Sequence, residues 1–194
     1  MNTVFVDVDT QIDFLFPAGA LHVPGGERIL SAIARLNRYA AGHGIPVLST
    51  MDAHAEDDLE FRDWPPHCVA GTAGQQKVAA TLLERRIVIP NVPGNTPDPG
   101  AVQQILVEKQ TLDCFNVHLA SLLAKLAADR YVVYGVVTEI CVKFVALRLL
   151  NTGKRVELVT DAIRSLDDEQ AARTLEELHQ SGCILTTLDA VTAQ

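Results

Sequence analysis

Residues 131–151, YVVYGVVTEICVKFVALRLLN, decide the fold. Tyr131 to Val136 is a short uncharged run rich in β-branched and aromatic residues, the pattern of a buried strand. A tight connection follows. Residues 139–151 then carry helical spacing and stop before Gly153. Strand, turn and helix in that order form one unit of a parallel α/β sheet.

The unit recurs along the chain. Thr3 to Val8 (TVFVDV) reads as a buried first strand, followed by a Gly/Pro-rich loop and a helix with Ile29, Leu30, Ile33, Leu36 and Tyr39 on one face. Further strands are expected at 46–50, 105–107, 155–160 and 183–187, with helices over 75–86, 116–128 and 167–180. Residues 87–89 are a short apolar run in a turn-rich region. Six strands with helices between them predict a single-domain, doubly wound, mostly parallel sheet with helices on both faces, spanning residues 1–194. No repeat or linker interrupts it.

The chain has 194 residues, 48% apolar and 21% charged, which suits an ordered globular protein. Its formal charge of −8 argues against nucleic acid or an anionic membrane surface as partner, since both attract clustered Lys and Arg. No apolar run approaches the roughly 18 residues of a membrane span. The N-terminus has no basic region of the signal-peptide kind. Cys68, Cys114, Cys141 and Cys183 show no short paired spacing, so they read as reduced thiols of a cytoplasmic protein. A homo-oligomer stays open.

In open parallel sheets, ligands bind beyond the carboxyl ends of the strands. The reactive side chains there are Asp7 and Asp9, then Asp52 and His54, then Lys109, then Thr138 and Cys141. A carboxylate, a lysine and a cysteine converging on one rim make an activated thiol nucleophile. Cys141, in the first turn of a helix, meets the positive end of the helix dipole, which favours thiolate. Backbone N–H groups of that turn suit an oxyanion. The plainer alternatives are a small buried apolar cysteine, a capping Asp9 and a surface Lys109. Asp7 and Asp9, two apart, share a strand face.

The polar stretch 51–73 supplies a second cluster. Asp52 and His54 are two apart, and Glu60 and His67 follow. Imidazoles and carboxylates with room for water suit zinc, iron or manganese; a solvated acidic loop is the alternative.

Asp9-Thr10-Gln11-Ile12-Asp13-Phe14 resembles the Asp-x-Gln-x-Asp-Phe opening of nicotinamidases in the isochorismatase-like family. Gly19-Ala20-Leu21, Asp52-Ala53-His54, residues 64–72 (WPPHCVAGT) and the segment around Cys141 are similar to that family in the same order. The resemblance implies a cysteine amidohydrolase converting nicotinamide to nicotinate and ammonia in NAD salvage. Cys141 would form the thioester, Asp9 would be the base and Lys109 would lower the thiol pKa. Val137 and Cys141 would supply the oxyanion hole, with a cis peptide before Val137. Asp52, His54, Glu60 and His67 would hold the divalent metal. Phe14 and Trp64 would flank a ring, and Leu21 would close the pocket.

Glu60 stands where many relatives have histidine, with Glu56, Asp57 and Asp58 nearby. Cys114 or Phe115 takes the place of a tyrosine often found near the pocket. Another small amide, a carbamoyl or ureido compound, is the nearest alternative substrate; a non-catalytic binding module is the alternative of a different class.

Overall fold

The computed structural model describes residues 1–96, 98, 100–113 and 117–193. Cys114 and Phe115 therefore lie outside the described residues.

Seven strands form one sheet. They are β1 (Thr3–Val8), β2 (Val47–Asp52), β3 (Arg86–Ile89), β4 (Gln104–Lys109), β5 (Arg130–Val136), β6 (Arg155–Arg164) and β7 (Ile184–Thr186). Their order is β3-β4-β2-β1-β5-β6-β7, and every neighbouring pair is parallel. From β1 the chain adds β2 beside it, runs to the edge as β3 and returns to fill the gap with β4, then crosses to build β5, β6 and β7 outward on the other side. This places a topological switch at the carboxyl end of β1.

The central strands are apolar because both their faces are covered. Val4, Val6 and Val8 join the layer under α3 (Val117–Leu126), α4 (Lys143–Leu150) and α5 (Asp168–Gln180), represented by Leu122, Leu149 and Leu178. Phe5, Val132 and Tyr134 face the opposite layer, built on α2 (Leu30–Gly42) through Ile33, Leu36 and Ala40. Two short helices complete the order, α1 (Ile12–Leu15) and α6 (Leu188–Thr192). Gly44, at φ +67°, ends α2 in the left-handed conformation that a Cβ disfavours. The Asp167 side chain caps α5 by accepting from Gln170 N.

Three expectations are corrected. The sheet has seven strands, because the apolar run at 87–89 belongs to β3, an edge strand paired with β4. Of its four residues only Ile89 is buried, so its pattern is too weak to separate from a loop. The helix expected over 75–86 is replaced by a single 3₁₀ turn, Ala79–Thr81. Gln75 and Lys77 point inward, and the backbone before each bonds to the start of α1: Asp13 N to Gly74 O at 3.1 Å, Ile12 N to Gln76 O at 2.9 Å. Tertiary hydrogen bonds there outweigh local propensity. The helix expected over 139–151 opens as a π-helical turn, Thr138–Val142, before α4.

Gly135 is required by the sheet itself. It has φ +120°, and a Cβ there would collide with the Val8 carbonyl at the tip of β1.

Candidate active site

Three strand tips bring Asp9, Lys109 and Cys141 together. Asp9 follows β1 at φ +50°, a left-handed conformation rare for a non-glycine residue. Its Oδ1 accepts from the Thr50 hydroxyl at 2.6 Å. Lys109, the last residue of β4, puts Nζ 3.1 Å from Asp9 Oδ2 and 3.9 Å from Cys141 Sγ. The same ammonium touches Asp52 Oδ1 at the end of β2. Asp9, Lys109 and Asp52 are all buried, and Cys141 is half-buried at the pocket.

Burial pushes Asp9 above the ordinary carboxylate range, against the pull of Lys109. Burial alone would lower Lys109, but Asp52 and Asp9 hold it well above the usual lysine range. Burial also raises the Cys141 thiol well above its usual range; Lys109 pulls it down without overcoming that, and Asp9 and Asp52 add to the rise. Burial thus works against the thiolate that the position of Cys141 favours. Withdrawal from water outweighs the one nearby cation, and Cys141 sits in a π-helical turn rather than a regular first turn. π-Helical turns recur at functional sites.

Beside this triad stand Asp52, His54 and His67, all buried, with candidate ligand atoms within 4.8 Å of one another. Each imidazole is oriented from behind. His54 Nδ1 faces Asp58 Oδ2 at 3.1 Å, and His67 Nδ1 faces the Pro65 carbonyl at 2.8 Å. Both acceptors favour a proton on Nδ1, which turns Nε2 inward as a lone pair. His54 Nε2 is buried without a hydrogen-bond partner and lies 3.9 Å from Asp52 Oδ2. His67 Nε2 lies 3.8 Å from Glu60 Oε1. An orphaned imidazole nitrogen facing carboxylates fits a divalent cation. The sequence did not single out Asp58 as the group behind His54. It also accepts from Glu60 N at 2.9 Å and Gln110 Nε2 at 2.9 Å, so it anchors the turn carrying Glu60.

Two motif residues act as braces. The Gln11 amide clasps the Asp52 backbone, accepting from its N–H and donating to its C=O, each at 2.8 Å. Asp13 accepts from Cys68 N at 2.7 Å and Ala20 N at 3.0 Å, which joins three loops. Phe61 packs its ring 5.4 Å from His54 and 5.8 Å from His67. Gln11 and Asp13 stood out in the sequence only as motif positions, without this role, and Phe61 did not stand out at all.

The pocket above Cys141 is lined by Phe14, Leu21, Trp64 and Val137, all expected there, and also by Ile140 and Leu166. Ile140 adjoins the cysteine and was open to inference; Leu166 arrives from the far end of β6 with no local signal. The Val136–Val137 peptide is cis.

Against known proteins, the Isochorismatase domain model matches residues 3–190. The chain is 26% identical to the nicotinamidase of Escherichia coli, covering 93% of this chain and 92% of that one. A pyrazinamidase of Pyrococcus horikoshii solved in complex with zinc is 28% identical, with TM-score 0.80 and 96% and 99% of the two chains covered. The N-carbamoylsarcosine amidase of Thermoplasma acidophilum, at 21% identity, TM-score 0.78 and 97% and 98% coverage, shares the fold. No helix among the described residues is long and apolar enough to cross a membrane. Together the family match and the relatives show that this chain belongs to the isochorismatase domain family and is an amide-bond hydrolase.

Proposed function

We propose that the protein hydrolyses nicotinamide to nicotinate and ammonia through a thioester on Cys141, in cytoplasmic NAD salvage. The observation that carries this reading is the meeting of Asp9, Lys109 and Cys141 under an apolar, partly aromatic pocket whose wall includes Asp52, Glu60 and His67.

Asp9 takes the thiol proton as Cys141 attacks the amide carbonyl. Its raised pKa suits that exchange, because the acceptor and the thiol are then more nearly matched. Lys109 stays charged and compensates the negative charge that moves between Asp9 and sulfur. The oxyanion is held by the backbone N–H groups of Val137 and Cys141. As the tetrahedral intermediate collapses, the C–N bond breaks and Asp9 returns its proton to the leaving nitrogen, which departs as ammonia. Asp9 then takes a proton from water, whose oxygen attacks the thioester carbonyl. The C–S bond breaks, the thiol is reformed and nicotinate is released.

Asp52, His54, Glu60 and His67 are the residues that would hold a divalent ion, zinc, iron or manganese. Bound there, it would supply a Lewis acid toward a ring nitrogen or a water. Phe14 and Trp64 flank the aromatic ring, and Leu21 covers it. An anionic or ureido substrate would have to set its polar tail against this apolar wall, so a flat neutral amide suits it better.

Ammonia release from nicotinamide, pyrazinamide and a set of carbamoyl and ureido compounds tests the reading, with Cys141→Ala as control. Turnover confined to the aromatic amides and lost in the variant supports it. Turnover of ureido compounds alone, or undiminished turnover in folded Cys141→Ala, overturns it.

A further inference from the structure

Behind the triad, on the α2 face of the sheet, lies a buried charged cluster that the reaction leaves unused. Asp7 is fully buried in a layer shared with Phe5 and Tyr134. Its Oδ2 lies 2.7 Å from Lys77 Nζ and accepts from Asn37 Nδ2 at 3.0 Å. Its Oδ1 accepts from the Thr10 hydroxyl at 2.8 Å, and Lys77 also touches that hydroxyl. The Tyr134 hydroxyl donates to Asn37 Oδ1 at 2.5 Å. An ion pair buried this deeply adds little stability over apolar side chains of similar size, so its location asks for another explanation.

The location is the turn that aims Asp9. Thr10 is its central residue: the Asp9 carbonyl accepts from Gln11 N at 2.8 Å across it. Thr10 is gripped by its side chain through Asp7 and Lys77, and by its carbonyl, which accepts from Val78 N at 3.0 Å. Simple strand alternation would send Asp9 toward α2 with Phe5 and Asp7. The left-handed residue instead sends its carboxylate to Thr50 and Lys109. We propose that the Asp7–Lys77 pair is a positioning device that acts through Thr10 to hold Asp9 toward Cys141. Burial lowers the Lys77 pKa, and Asp7 and Asp9 both oppose that, so the ammonium also lies in the field of Asp9.

The proposal rests on the role given to Asp9 above. The test replaces the pair by apolar side chains, D7L/K77M, and separately compares Thr10→Val with Thr10→Ser. Thr10→Val leaves Asp7 and Lys77 in direct contact and removes the hydroxyl that links them to the turn, together with its 3.4 Å contact to the Thr81 hydroxyl. Two readouts are taken: steady-state hydrolysis of nicotinamide, and the rate of Cys141 alkylation by iodoacetamide followed by mass spectrometry. The expected result for D7L/K77M and Thr10→Val is a folded protein with KM within about threefold of the parent and kcat lower by about ten- to a hundredfold. Alkylation slows alongside, and Thr10→Ser stays near the parent in both. Folded D7L/K77M or Thr10→Val with parental kcat and alkylation rate overturns the proposal, whatever happens to thermal stability. If D7L/K77M does not fold, the Thr10 pair decides. A parent inert toward every amide would refute the functional reading instead, and the alkylation rates would still decide the positioning role.

Discussion

Asp52 and Lys109 are register partners at the last rung between β2 and β4, and the Lys109 ammonium touches the Asp52 carboxylate. That ammonium also faces Asp9 at 3.1 Å, while the second Asp52 oxygen faces His54 Nε2 at 3.9 Å. One carboxylate thus belongs both to the surroundings of Cys141 and to the candidate metal cluster. Both sites stand on adjacent strand tips, so neither can shift without the other.

Asp52→Asn should therefore disable two things at once. Metal content after zinc loading falls, and ammonia release falls with it. His54→Ala removes a candidate ligand but leaves Lys109 between its two carboxylates. Excess zinc should recover part of the His54→Ala activity and none of the Asp52→Asn activity, measured by elemental analysis and ammonia assay on the same samples. Equal recovery in both would show that Asp52 acts only as a ligand.

Asp58→Ala removes the group behind His54 and the cap of the turn carrying Glu60. Losing the hydrogen-bond partner behind a metal-binding imidazole weakens metal binding by about 10- to 100-fold. Competition with a chromogenic chelator measures this. An unchanged zinc affinity would mean that His54 is held by its packing against Phe61 and His67 alone.

Gly135→Ala forces a Cβ onto the Val8 carbonyl at φ +120°. Both the collision and the backbone conformation are unfavourable, so a loss of about 2–4 kcal/mol, or failure to fold, is expected. Urea unfolding gives the figure. Gly42→Ala is the control, since a Cβ there meets nothing within 4 Å. It should raise stability by a fraction of the helix-propensity difference, about 1 kcal/mol.

At the opposite end of the sheet, Arg130 grips Glu157 through two bonds, at 2.8 and 2.6 Å, and Arg155 adds a third at 2.6 Å. Burial pushes the Glu157 pKa up, but these bonds outweigh it and the net shift is downward from 4.5. A depressed folded-state pKa contributes stability that is present above about pH 4.5 and is lost as pH falls through the lower folded value. Thermal melting should drop across that acid window. Glu157→Gln should melt lower at neutral pH and show a smaller acid drop; an identical acid drop would clear Glu157 of any part in it.

The candidate site was legible where chemistry and chain direction coincide. Asp9, Asp52 and Lys109 each follow an apolar strand, so strand direction alone carried them to one rim. Trp64 and His67 sit in a distinctive run, and the structure puts both on the pocket wall. Less was legible wherever long-range hydrogen bonds decide. Residues 75–86 have helix-compatible composition, yet Lys77 is drawn into the sheet by Asp7, 70 positions earlier in the chain. β3 has one buried residue, too few for a pattern. Asp58 reads in the sequence as one of three acids that could substitute for Glu60, and only its distance to His54 Nδ1 puts it behind that imidazole.

By itself, the sequence determined the alternation of strands and helices, the single parallel sheet and the rim on which reactive groups gather. Those follow from hydrophobic period and strand direction, which are local properties. Only the tertiary structure decided the surroundings and aim of the site: a Cys141 thiol whose burial opposes ionisation, an Asp9 turned by its own left-handed backbone, one Asp52 shared by two clusters. These depend on how far each charge is removed from water and on which partner from a distant segment stands within hydrogen-bond reach, and no run of neighbouring residues encodes either.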